Sequence, residues 1–158
     1  MGTINLKRYI GGMEGKRKNA AFILSVIIVV LMVLGSAAGL FIDDLYQDNH
    51  LVTSGWYGND LVTLLIAVPV LITSMIFLKR GSLRARLVWL GMLFYALYNY
   101  AFYLFGAAFN SLFLIYVALF TFLIFALILS ISSLDLKVVK EQFHRRTPVK
   151  KSAFIWRL

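Results

Sequence analysis

The chain has 158 residues, 61% of them apolar and 15% aromatic, with a mean hydropathy of +0.83; soluble domains average about 45–50% apolar residues, so an ordinary soluble domain is excluded and a single membrane-embedded helical one is expected. The absence of cysteine excludes disulfides, thiol redox chemistry, iron–sulfur clusters and thiolate zinc sites. The formal charge of +9 is carried at the ends of the apolar runs, where it reads as membrane orientation and attraction to anionic lipid of the cytoplasmic leaflet, not as a nucleic-acid surface.

The N-terminal arm, residues 1–19, is basic, with Lys7, Arg8, Lys16, Arg17 and Lys18. Its "GGMEGKRKN" has only a superficial likeness to a phosphate loop: the spacing is short by one, Arg17 stands where Ser or Thr is needed, and no strand precedes it. A flexible cytoplasmic arm is expected instead. An uncharged apolar run follows over about 20–42. A cleaved signal peptide is the competing reading of that run, but the apolar stretch continues through Phe41, longer than the ~7–15 residues of a signal h-region. An uncleaved span is favoured. Within it, "GSAAG" sets Gly35 and Gly39 four apart, a spacing that lets helices approach closely and predicts a packing contact.

The connection over 43–59 holds Asp43, Asp44 and Asp48 and no Lys or Arg. A second span is expected over about 60–78, opening with "GNDLVTLLIAVPV". Asp60, Thr63, Ala67 and Ser74 share one face of that helix, with Pro69 opposite. Proline deprives the Leu65 carbonyl of its usual partner, so a kink is expected there. Asp60 reads first as a carboxylate that caps the helix start and suits its dipole. The alternative is an ion or substrate contact at the outer mouth. A basic turn with Lys79, Arg80, Arg84 and Arg86 follows.

The third span, about 87–105, is rich in tyrosine. At 100° per residue, Gly91, Tyr95, Tyr98, Asn99, Phe102 and Gly106 fall on one face, with Tyr103 at its edge and Tyr100 pointing elsewhere. A buried amide needs partners that lipid does not supply, so this face is expected to turn into the bundle. Asn99 and the tyrosine hydroxyls then either hydrogen-bond across helices or line a cavity or proton path. Tyr103 and Tyr46 can also belong to an interfacial aromatic belt. An uncharged connection leads to the fourth span, about 111–132.

The tail, 133–158, mixes Leu134, Leu136, Val138, Val139 and Phe143 with basic residues and reads as an amphipathic cytoplasmic helix ending before Pro148. Basic connections thus alternate with connections free of Lys and Arg, and the positive-inside rule puts both termini in the cytoplasm and the protein in the cell membrane. His50 and His144 lie outside the spans, so no bis-histidine haem is available in the bilayer, and no metal-ligand cluster or Ser/His/Asp set stands out. No cofactor and no catalytic residue is implied.

"GNDLVTLLIAVPVLI", "RGSLRARLVWLGMLFYALYNYAFYLFGAAFNSLFLIYVALF" and "HRRTPV" resemble a group of uncharacterised bacterial multi-pass membrane proteins over roughly residues 55–149. The resemblance implies the topology and transfers no activity. Members of that group continue past the "RRTPV" stretch into further spans, whereas this sequence stops at Leu158. That implies either a C-terminally truncated member or a short form that completes its packing as a homo-oligomer or with a partner subunit.

The expectation is therefore an all-α bundle of four transmembrane helices, both ends cytoplasmic. Its leading function is to bind or move a small or lipid-like ligand along a face built from Asp60, Thr63, Ser74, Tyr95, Tyr98, Asn99 and Tyr103. The other readings are a structural or interaction subunit without ligand, and a lipid-modifying membrane enzyme with Asp60 as acid or base.

Overall fold

The computed structural model describes the backbone of residues 2–134 and side chains from residue 15 onward. The tail expected to be amphipathic lies almost wholly outside the described residues. The elements are α1 (Gly2–Phe41), α2 (His50–Val62), a π turn (Thr63–Ala67), α3 (Val68–Lys79), α4 (Leu83–Gly106) and α5 (Phe113–Ser132). Among the described residues there is no strand.

The basic arm is helical: α1 runs without a break from Gly2 into the first apolar run. No proline interrupts that stretch, and Lys, Arg, Met and Glu are good helix formers. The larger correction concerns the second span. Its helix starts at His50, not near Asp60, and continues through the π turn to Lys79, a 30-residue rod. Asn49 caps it: its backbone is extended, and its side chain accepts from the Val52 N–H at 3.0 Å. "HLVTSGWYGND" has the glycines and small polar residues of a connection, but nothing opposes a helix there. Gly55 and Gly58 face open space, and the Ser54 hydroxyl bonds back to the His50 carbonyl.

Ahead of Pro69 the chain forms the π turn instead of a plain kink. The Val68 N–H reaches back five residues to the Thr63 carbonyl. Widening the turn is a recognised way to absorb a missing donor in a long helix.

Four helices are long and apolar enough to cross a membrane: Gly15–Phe41, His50–Lys79, Leu83–Gly106 and Phe113–Ser132. They form a closed ring. α1 packs on α5 and on the α2–α3 rod, and α4 packs on α3 and α5. The core is filled by Ile28 and Met32 of α1, Leu71 of α3, Leu93 and Ala96 of α4, and Leu119 and Leu123 of α5. The outer surface is equally apolar. Ile23, Leu65, Phe94, Phe105, Leu114 and Ile128 are more than half exposed. A surface of that kind fits hydrocarbon as solvent.

The two ends differ. At one end the turn Arg80–Ser82 brings α4 back, with Gly81 at φ +76° and Ser82 accepting from the Ala85 N–H. There Arg86 ties α4 to the end of α5 through the Ser133 carbonyl and hydroxyl. At the other end Asp48 clamps two connections together. Its carboxylate accepts from Trp56 Nε1 at 2.9 Å and from the Ala108 N–H at 3.1 and 3.2 Å.

Candidate functional site

The clamp at the acidic end fixes the connection over 42–49 across the mouth of the bundle and drives Tyr46 inward, where it is buried beside Trp56 and Tyr103. Its hydroxyl donates to Asp60 Oδ2 at 2.5 Å. From the facing helix, Tyr103 donates to Asp60 Oδ1 at 2.8 Å. One carboxylate thus receives a phenol on each oxygen. Burial, with Tyr103 and the Asp60 bond adding to it, pushes the Tyr46 phenol well above its ordinary range, so it remains a donor at any physiological pH.

Asp60 is 2% exposed and does not cap a helix. The helix begins ten residues earlier, so the carboxylate sits in mid-helix and points into the bundle. Among the described residues no basic group pairs with it; its partners are neutral hydroxyls. On the α1 side, a Cβ at Gly39 would collide with the Asp60 carboxylate and the Tyr46 hydroxyl. The close approach expected of the glycine pair therefore serves this cluster at Gly39, whereas at Gly35 a Cβ would meet only Ile115 in ordinary contact.

More aromatic rings complete the wall. The Tyr103 ring lies 5.0 Å from Tyr116 and 5.6 Å from Tyr100, and Trp56 closes the outer side at 4.8 Å. The hydroxyls of Tyr100 and Tyr116, and Ser36 Oγ on α1, are buried against this cluster: Ser36 lies within polar reach of Asp60 and Tyr100, and Tyr116 within reach of Tyr46. Buried hydroxyls nearly always find such partners.

The face expected on α4 is rotated. Trp89, Leu93, Ala96, Asn99, Tyr100 and Tyr103 turn inward, while Gly91 and Phe102 are exposed. Tyr98 is 61% exposed, against Phe102, and takes no part in the cluster. Tyr100, expected to point elsewhere, is 1% exposed. Tyr95 is half-buried and outside the cluster's hydrogen bonds. Asn99 Oδ1 accepts from Asn59 Nδ2 at 2.6 Å, with its own Nδ2 unpartnered. Thr63 is buried one turn from Asp60, its hydroxyl unpartnered. Ser74 is buried nearer the basic end and bonds back to the Leu71 carbonyl of its own helix. Of the expected residues the structure brings Asp60 and Tyr103 into direct contact, with Asn99 and Thr63 nearby.

Sequence reasoning missed Tyr46, Tyr100, Tyr116, Ser36 and Asn59. The signal for Tyr100 was present: Trp89, Leu93, Ala96, Tyr100 and Tyr103 recur every three or four residues. The expected face ran from Tyr98 to Asn99 around Tyr95 and Phe102, whereas the buried face lies on the other side of Asn99, about a third of a turn away. Tyr46 lies in a connection and leaves no periodic trace. No group of three or more His, Cys, Asp or Glu that could hold a metal ion occurs among the described residues.

Compared with known proteins, the chain matches no family model, no curated protein and no solved structure. The resemblance to bacterial multi-pass proteins gains no support from this, and what stands is the coarser statement of four helices fit to cross a membrane.

Proposed function

We propose that this chain is a four-span membrane protein, both termini in the cytoplasm, that binds or moves a small ligand at the Asp60 centre, and that the ligand is a proton or a small monovalent cation. One observation carries the reading. Among the described residues, a carboxylate buried within a span has neutral hydroxyls for partners, the Tyr46 and Tyr103 phenols first. An ionisable residue at such depth is costly, and proteins that keep one commonly use it for ion or proton traffic. The buried hydroxyl oxygens of Ser36, Tyr100 and Tyr116 beside it are neutral oxygens of the type that can pass a proton or add to a shell around a small ion. Close packing at Gly39 suits a bare ion or proton over an organic ligand.

Sidedness rests on charge. The basic connections, Lys79 to Arg86 among them, belong in the cytoplasm by the positive-inside rule, and the Asp43–Asp48 connection belongs outside.

The experiment is thermal melting of the detergent-purified full chain across pH and across sodium, potassium and lithium. Wild type is expected to shift its midpoint with one of these, and Asp60→Asn to lose the shift while still melting cooperatively. A midpoint that ignores pH and all three ions sinks the proposal.

A second reading, a structural or interaction subunit without ligand, is favoured by the Asn59–Asn99 bond. That bond joins two helices and leaves little of the expected Tyr/Asn face open. It predicts that Asp60→Asn lowers the midpoint equally under all conditions.

A further inference from the structure

At the basic end, far from Asp60 and independent of it, a cavity of about 620 Å³ opens between α1, α3 and α4. Its walls divide into two chemistries. Lys18, Lys79 and Arg86 supply three cationic side chains, and no Asp or Glu is among the described residues that line it. Phe22, Leu83 and Trp89 supply an apolar floor, with Trp89 buried and its Nε1 donating to Ser25 Oγ at 3.1 Å. Arg86 lines the chamber with its guanidinium bonded to the Ser133 carbonyl and hydroxyl.

A second hollow, about 360 Å³, continues from the first between α1 and α3. The two share Phe22 and Lys79, whose ammonium sits 4.5 Å above the Phe22 ring at the junction. This hollow is apolar apart from Lys79. Val26, Val30, Ile72 and Ile76 line it and are 40 to 51% exposed along the outer surface of the bundle. A cationic chamber that runs into an apolar trough has the form of an amphiphile: an anionic head and a hydrocarbon chain. A free inorganic anion has use for the first part only.

We propose that this composite site binds one anionic phospholipid, its phosphate among Lys18, Lys79 and Arg86 and an acyl chain along the α1–α3 trough. Arginine and lysine pair with phosphate as charge-assisted donors, and the trough accounts for the chain that a soluble phosphate lacks.

The test uses the full chain, extracted from vesicles of equal parts phosphatidylglycerol and phosphatidylcholine and examined by native mass spectrometry. One retained phosphatidylglycerol is expected, enriched about fivefold or more over phosphatidylcholine, the ratio that ~1 kcal/mol from a single cation gives. The double variant Lys18→Ala/Lys79→Ala, at two exposed positions, is expected to lose the enrichment. Equal retention of the two lipids by wild type overturns the proposal without need of a variant. So does stabilisation by inorganic phosphate that equals stabilisation by phosphatidylglycerol and vanishes in the double variant, since that assigns the chamber to a soluble phosphate.

Discussion

Gly39 has no side chain because the Asp60 carboxylate and the Tyr46 hydroxyl occupy the space a Cβ would need. Gly55, one helix away, faces nothing. The two sites give opposite predictions. Gly39→Ala is expected to destabilise the bundle by about 1–3 kcal/mol, as overpacking does, and to disturb the Asp60 bonds. Gly55→Ala is expected to be neutral or to stabilise by up to about 1 kcal/mol, because alanine holds a helix better. Melting of both variants in one detergent checks the contrast. The Asn59–Asn99 bond is similarly testable. Asn99→Leu removes one partner of the Asn59 amide, and a double-mutant cycle with Asn59→Leu should return a coupling of about 0.6–2 kcal/mol. Zero coupling would mean that the two amides do not support each other.

At the scale of elements, the second helix depends on its cap. Asn49→Ala is expected to cost about 1 kcal/mol and to fray the stretch from His50 to Trp56, seen as faster amide exchange there. This helix also marks how far the sequence could be read. Its hydrophobic part was legible because an uncharged, mainly apolar run from Leu61 to Leu78 admits only one solution in hydrocarbon. Its first ten residues were not, because glycine, serine and asparagine are read as breakers. The local cap at Asn49 and the Asp48 clamp, which reaches across the chain to Ala108, resolve the matter. The π turn was half legible: Pro69 announces a fault, but whether a helix kinks or widens depends on its neighbours. On α4, Asn99 and Tyr103 were legible as inward, while Tyr98, about 100° from Asn99, was drawn in because it shares a face with Tyr95 and Phe102. The site's other half, Tyr46 and Tyr116, comes from a connection and a different helix, and no periodicity within one segment joins them to Asp60.

For the whole molecule, the charge pattern and the two unlike ends make one prediction about threading. Because the chain has no cysteine, single substitutions report cleanly. A cysteine at Gln47 and one at Arg80 are expected to react with an impermeant thiol reagent from opposite sides of a sealed vesicle. Reaction from the same side contradicts the four-span account. Within that frame the central claim concerns Asp60: a buried acid, gripped by Tyr46 and Tyr103, that exchanges its counter-ion or proton. The most direct measurement is infrared difference spectroscopy of the full chain in lipid, recorded on changing pH and on exchanging the cation. The account predicts a carboxyl band that changes with one of these and is absent from the Asp60→Asn spectrum. Spectra of wild type and variant that cannot be told apart would contradict it.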